Sequence, residues 1–171
     1  NTECPTDRAV LLAGGGWSTR IQGLPRLRTS LKPVAGQIVQ LERRPAFFRH
    51  IVYGFKGYIV PRSDGRILLG SPLEDRGFDK AVACEGVHQI TGMGMELLPG
   101  LRQARLSQTW SGLRPASGDN LPLLGATSLP GLFFATGHYR NGILLTPVTA
   151  EILTALLLGK PPGMDITPFA P

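Results

Sequence analysis

The stretch LFFATGHYRNGILLTP, residues 132–147, contains the most informative change of pattern in the chain. Its first five residues form an uninterrupted apolar run, which is typical of a strand buried on both faces. A glycine turn follows, and then a helix is predicted from about Pro147 to Leu158, with Thr146 as its cap and with Gly159 and Pro161 to stop it. This order predicts a turn between the carboxyl end of a strand and the amino end of a helix, a place that suits an anionic or electron-accepting ligand.

A second apolar run, residues 8–13, ends in GGGWS at 14–18. It predicts another buried parallel strand whose carboxyl end approaches a ligand. The first and third of these glycines imitate the start of a GxGxxG dinucleotide fingerprint. However, Thr19 stands where the last glycine belongs, and Pro25 comes too soon for the helix that must follow.

The segments between these two runs alternate in the manner of antiparallel strands with tight turns. We expect strands over 32–41, 47–53, 58–61, 67–70 and 106–113, an extended segment over 120–125, and one helix over 80–98 capped by Asp79. The whole order predicts a mixed fold, with an α+β middle bracketed by pieces of α/β structure.

Length and composition exclude several classes of protein. The chain has 171 residues, of which 42% are hydrophobic and 18% charged, so it is neither disordered nor too short for a core. Its 22 glycines and 15 prolines follow no period, which excludes collagen. Cys4 and Cys84 have no metal-ligand spacing and no disulfide framework. We expect two free thiols, with a Cys4–Cys84 bridge left open.

The net charge of +6 comes from scattered basic residues without a run or stripe. This pattern favours an ordinary solvated surface and argues against a nucleic-acid partner. No apolar stretch reaches the roughly 20 residues of a bilayer span, and the first residues do not resemble a signal peptide. We therefore expect a cytoplasmic protein without a membrane span.

Few residues suggest chemistry by themselves. The three histidines, His50, His88 and His138, are isolated, and no Ser–His–Asp order or nucleophile elbow occurs, which argues against a metalloenzyme or a hydrolase.

Three other side chains have two interpretations each. Arg114 ends an apolar strand and pairs either with a structural carboxylate or with a substrate carboxylate. Arg140 is either a cation beside a ligand or an exposed loop residue, and Tyr58 suits an ordinary sheet aromatic.

Several motifs, taken together, resemble the FAD-dependent D-amino-acid-oxidase-like family, and within it the glycine oxidases of thiamine biosynthesis. They are AGGGWS (13–18), PVAGQ (33–37), GYIVPR (57–62), EDRGFD (74–79), WSGLRP (110–115), DNLPLLG (119–125) and PGLFFATGHYRNGILLTP (130–147). The similarity covers nearly the whole chain in order, and the run from Trp110 to Pro147 is specific.

The resemblance implies two interleaved domains. Residues 1–30 would end a Rossmann-like FAD-binding domain, residues 31–115 would form a substrate domain with a mixed, largely antiparallel sheet, and residues 116–171 would return to the FAD domain. It also implies oxidative deamination of glycine or a small amine. Hydride passes from the substrate Cα to flavin N5, oxygen reoxidises the flavin, and the imine hydrolyses.

Position by position, the resemblance also implies a site. Arg114 would bind the substrate carboxylate, with Tyr58 and Arg140 in support. The residues that would contact FAD are Gly14, Gly15, Trp17, Gly137, Arg140, Asn141, Gly142 and Ile143. Oxygen or another electron acceptor, and the exact substrate, stay open; Lys56 and Gly15 depart from the family pattern.

The GxGxxG motif and the acidic ribose-binding residue of the family are absent from these residues. We therefore expect that the 171-residue chain is inactive alone and acts with an N-terminal segment or a partner chain. The alternative is a non-catalytic subunit or binding module that keeps the substrate-domain fold. The resemblance leaves a homo-oligomer open.

Overall fold

The computed structural model describes residues 9–171. They fall into two compact units, one formed by the segments up to Val34 and from Arg114 onward, the other by Ala35–Leu113. Cys4, and with it the bridge to Cys84 that the sequence leaves open, lies outside the described residues. Cys84 is an exposed free thiol.

Eight strands and two α-helices make up the regular structure of residues 9–171. The strands are β1 (Val10–Leu12), β2 (Leu31–Glu42), β3 (Val52–Gly54), β4 (Gly57–Pro61), β5 (Arg66–Gly70), β6 (Arg105–Ser117), β7 (Leu123–Ala126) and β8 (Leu132–Thr136). The helices are α1 (Cys84–Leu97) and α2 (Thr146–Leu157), and three short 3₁₀ turns cover Gly15–Arg20, Pro99–Gln103 and Thr167–Phe169. Neither helix is long and apolar enough to cross a bilayer, as far as residues 9–171 are concerned.

The first unit contains a three-stranded sheet in the order β1-β8-β7. The prediction that β1 is a parallel strand is confirmed, because it runs parallel to β8 with Leu12 beside Phe134. The prediction that β1 is buried is wrong: Val10 and Leu11 are 42% and 39% exposed, since β8 is the one described strand that pairs with β1. Phe134, on β8, is the largest fully buried side chain of this unit. The Rossmann-like character of the sheet stays a prediction.

The second unit is built on a five-stranded sheet in the order β3-β4-β5-β2-β6. Adjacent strands β3–β4, β4–β5 and β5–β2 are antiparallel, as the turn signals predict. Alternate residues of the strands face α1 and the 3₁₀ turn after it. They form one buried cluster with these elements: Val39, Leu41, Ile59, Ile67, Leu69, Ile90 and Leu101.

Helix α1 approaches the sheet closely because Gly94 lacks a side chain. A Cβ at Gly94 would lie 2.7 Å from Leu69 Cδ2, which is an overlap. Glycine lowers the intrinsic stability of a helix, but the close packing of α1 against the sheet requires it at position 94.

The helix ends differ from the predicted ones. Helix α1 begins at Cys84 with Ala83 as its N-cap, while the Asp79 carboxylate accepts the N–H of Ala81 within the preceding turn. Helix α2 begins one residue early, at Thr146, and the Thr146 hydroxyl donates to the Gly142 carbonyl. The predicted strand over 47–53 is wrong for 47–51, which form a loop before β3.

Candidate functional site

The carboxyl ends of β1 and β8 lie at one edge of the first unit, because the two strands are parallel and in register. The Thr136 hydroxyl joins the turns that follow them by donating to the Gly15 carbonyl at 3.1 Å. Gly15 and Gly137 both adopt positive φ, at +56° and +79°. A Cβ at Gly137 would also lie 3.2 Å from the Leu123 amide nitrogen, so glycine is required there on two grounds.

The turn between β8 and α2, residues 137–145, is held by its own backbone. The Asn141 N–H donates to the His138 carbonyl at 3.0 Å, and the Asn141 carbonyl accepts the N–H of Leu145 at 2.9 Å. Within residues 9–171, the amides of 142–144 donate to no backbone carbonyl. Ile143 is also 94% exposed. This turn therefore presents both hydrogen-bond donors and an apolar side chain at the edge of the unit.

The turn pairs with the carboxyl half of β6. The Tyr139 N–H donates to the Pro115 carbonyl at 2.9 Å, and Ala116 and His138 form an antiparallel bridge. Arg114 and Arg140 each lie one residue beyond the Pro115–Tyr139 pair. The contact thus joins the two stretches at Pro115 and Tyr139, each of which adjoins one of the predicted arginines. Arg114 is half-buried and Arg140 is exposed, with Cζ of Arg140 5.8 Å from the centroid of the Tyr139 ring.

His138 fastens the turn to α2 through a side-chain contact. Its Nε2 lies 3.0 Å from Oγ1 of Thr149. The imidazole is half-buried, and this burial lowers its pKa below the usual 6.5. Beside it lies a mostly apolar groove of about 390 Å³ between β1, β8 and α2. The sequence left His138 as an isolated residue, because nothing in its spacing indicated Thr149 as a partner.

A family model described as FAD dependent oxidoreductase matches residues 1–156. The chain belongs to this family. The relatives and solved structures agree with that assignment and extend the similarity along almost all of the chain.

The chain is 38% identical over 163 residues to the glycine oxidase of Pseudomonas aeruginosa, and the match covers 95% of this chain and 45% of that protein. It is 35% identical over 164 residues to the hydrogen cyanide synthase subunit HcnC of the same organism, covering 95% of this chain and 39% of that protein. Among solved structures, glycine oxidase from Geobacillus kaustophilus matches with a TM-score of 0.89 and 36% identity, covering 95% of this chain and 44% of the other. The chain therefore spans less than half the length of these relatives.

The edge described above fits the cofactor of this family, FAD. The two glycine turns leave backbone exposed at the carboxyl ends of two parallel strands, where cofactors of α/β folds bind. Ser18, 1% exposed, has a hydroxyl without a partner in the described residues, directly behind Gly14. The amides of 142–144, which donate to no backbone carbonyl among the described residues, and the cation of Arg140 complete the set of donors. Such donors suit a flavin ring, which gains negative charge when it accepts electrons. Trp17, 46% exposed, adds an aromatic surface to the first turn.

Tyr58 belongs to the second unit, whereas Arg114 and Arg140 belong to the first. Tyr58 stands on β4 opposite Gly70 of β5. A Cβ at Gly70 would lie 2.8 Å from the Tyr58 hydroxyl oxygen, so glycine makes room for the tyrosine ring. Successive residues of a strand point to opposite faces of the sheet. Ile59 points into the core, so Tyr58 lies on the other face, which we call the half-open face because Tyr58 is only partly buried there.

Sequence reasoning missed Tyr53, which is directly opposite Tyr58 on β3. Opposite residues of an antiparallel pair share a face, so both tyrosines lie on the half-open face, and Tyr53 is 74% exposed. The signal was available in the two-residue turn Phe55–Lys56, which sets this register. Lys56 itself forms an exposed ion pair with Glu96 at 3.9 Å, an interaction of small stabilising value.

Proposed function

We infer that the chain supplies the substrate-binding unit and the flavin-facing turns of an enzyme that oxidises glycine or a small amino acid or amine with FAD. The observation that carries this inference is the pairing of Pro115 with Tyr139. It joins the residue after Arg114, near the end of β6, to the residue before Arg140, in the turn that fits FAD, which supports a common site for the two arginines. The glycine oxidase and HcnC relatives support glycine as the first substrate to test.

Arg114 binds the carboxylate of the substrate in this proposal. A guanidinium offers two parallel N–H donors that match a carboxylate, and a half-buried position strengthens the pair relative to one in water. The rigid strand β6, which runs into Pro115, fixes the direction from which the arginine approaches. The substrate carbon is thereby oriented toward the cofactor.

Arg140 and the surrounding turns hold the cofactor. FAD, when bound, accepts the hydride that leaves the substrate carbon. The residues proposed to contact it are Gly14, Gly15, Trp17, Gly137, Arg140, Asn141, Gly142 and Ile143. The amides and the guanidinium of this group favour negative charge on the ring, while Ile143 and Trp17 exclude water from it.

Tyr58 contributes a hydroxyl from the substrate unit, proposed to donate to the same substrate carboxylate. Tyr53 lies directly opposite Tyr58 on the same face of the sheet.

A second candidate is a non-catalytic subunit that retains this fold. The observation that suggests a subunit role is the similarity to a protein named as a subunit, hydrogen cyanide synthase subunit HcnC. Under the enzyme proposal, an N-terminal segment or a partner chain supplies the remaining contacts to FAD. Under the alternative, the protein binds neither FAD nor an amino acid productively.

Steady-state kinetics of the protein that carries the chain would test the enzyme proposal. We expect Arg114→Ala to raise KM for glycine about 10- to 100-fold, the value of one charge-assisted bidentate contact, with FAD still bound. Arg114→Lys keeps the positive charge but loses the pair of parallel N–H donors, so its KM should lie between those of the natural protein and of Arg114→Ala. Arg26→Ala removes an exposed arginine of the same unit and should leave KM unchanged. An unaltered KM in Arg114→Ala would exclude the carboxylate role.

A further inference from the structure

Positive charge is concentrated at one end of the sheet in the second unit. The segment 42–66 carries six basic and two acidic residues, a net charge of +4 out of +6 for the whole chain. One of the six, Lys56, lies in the turn between β3 and β4 at the other end of β4 and pairs with Glu96, so the charge at this end is +3. Pairing of Glu42 with Arg66 and of Pro61 with Ile67 brings the ends of β2, β4 and β5 together there. Arginines that are scattered in the sequence thus become neighbours in the fold.

A cavity of about 440 Å³ opens among these residues. Its lining combines Ala46, Phe48 and Pro61, which are apolar, with Arg49, Arg62 and Ser63, which are polar. We call it the Arg49–Arg62 pocket. Its volume is that of an ordinary small-molecule site, and so is its mixture of an apolar wall with a few polar groups.

Three nearby charged side chains, Asp64, Arg66 and Arg43, have partners, whereas the two arginines of the pocket have none among the described residues. Asp64 is held by the side-chain Nε of Arg66 at 2.8 Å and by its backbone N–H at 3.1 Å. Arg43 donates to the carbonyl of Gly100. Among the described residues, Arg49 and Arg62 form neither an ion pair nor a side-chain hydrogen bond. The pocket therefore contains two uncompensated guanidinium groups.

The backbone around Arg62 is well defined. Its N–H donates to the Arg66 carbonyl at 2.8 Å, and its own carbonyl accepts the N–H of Gly65 at 3.1 Å. Phe48 on the other wall packs against the buried cluster of the unit. The arginines thus extend from a tight turn and from a loop anchored in the core, which reduces the ordering cost of ligand binding.

We propose that the Arg49–Arg62 pocket binds a small organic phosphate, separately from the amino-acid oxidation site. Two guanidinium groups match the two charges and the three outer oxygens of a phosphate ester, and the Ser63 hydroxyl adds a donor. The wall of Phe48, Pro61 and Ala46 receives the organic part of the ligand. A single concave pocket without a longer basic stripe favours a small molecule over a nucleic acid.

Calorimetric titration of the protein that carries the whole chain with phenyl phosphate would test the proposal. We expect saturable binding of one molecule per chain, and weaker binding of inorganic phosphate, which lacks the apolar part. The double variant Arg49→Gln/Arg62→Gln should lose at least about tenfold in affinity. The matched control Arg102→Gln/Arg105→Gln changes the net charge equally at exposed sites outside the pocket and should stay within twofold.

Three results would overturn the proposal. Equal losses in the two double variants would mean general attraction between the ligand and a basic protein. Absence of saturation, or a short RNA that binds more tightly with a steep dependence on salt, would mean that the pocket is not a phosphate site. Glycine kinetics of the Arg49→Gln/Arg62→Gln protein should stay unchanged, so this test and that of the oxidase proposal can fail independently.

Discussion

Replacing Thr136 by valine tests whether the two glycine turns act as one structural element. The Thr136 hydroxyl donates to the Gly15 carbonyl at 3.1 Å, and its side chain is 1% exposed. Valine fills nearly the same space, so the main loss is this hydrogen bond. A neutral bond contributes about 1 kcal/mol, and an acceptor left without a donor costs about 1–3 kcal/mol when it is buried. Because Gly15 is partly exposed and water can reach it, we expect a total loss of about 1–2 kcal/mol.

Urea unfolding would measure this loss as a lower midpoint with an unchanged slope. The affinity for FAD should also fall, because the first turn is no longer held against the second. Thr136→Ser is the matched control, since it keeps the hydroxyl and should retain most of the FAD affinity. The reasoning is refuted if the valine variant unfolds and binds FAD like the natural protein, or if serine is as damaging as valine.

Three further predictions concern stability. Gly94→Ala forces a methyl group against buried Leu69 and should lower the free energy of unfolding by about 1–3 kcal/mol. Gly92→Ala is the matched control, because the space around Gly92 is open; it should stabilise α1 by about 0.5–1 kcal/mol in thermal unfolding. Burial lowers the pKa of His138, so the unfolded chain binds the extra proton more readily; stability should decline as the pH falls below 6.5, and His138→Gln should flatten that decline. A hydrogen bond from a backbone amide, assisted by an arginine, lowers the pKa of Asp119. Asp119→Asn should therefore be slightly less stable at pH 7, with the difference lost as the pH falls below 3.8.

The positions of β1 and β8, although not their pairing, were predictable from local sequence. The runs before Gly14 and Gly137 are short, apolar and followed at once by glycine, and these features alone indicate parallel strands that end at a site. Exposure of Val10 was not predictable, because burial depends on which strands are present on either side. The early start of α2 at Thr146 and the late start of α1 at Cys84 reflect turn hydrogen bonds that compete with capping.

The site was predictable only in part for a similar reason. Arg140 adjoins a recognisable strand–turn–helix junction, so its position follows from local pattern. Its proximity to Arg114 depends on the pairing of residues 116 and 138, a contact across the fold that no local spacing encodes. Tyr53 and the Arg49–Arg62 pocket likewise arise from the register of antiparallel strands, which the turn lengths set only once the partners are known.

Anaerobic mixing of the FAD-loaded protein with glycine tests the central claim most directly. If the two arginines and the glycine turns form an oxidation site, the flavin absorption band at about 450 nm should bleach as glycine reduces the cofactor. The same band should persist at that glycine concentration in Arg114→Ala, and Arg26→Ala should behave like the natural protein. Retained FAD that neither glycine nor other small amino acids or amines bleach would contradict the oxidase account. Failure to retain FAD in the protein that carries the chain would favour the non-catalytic subunit.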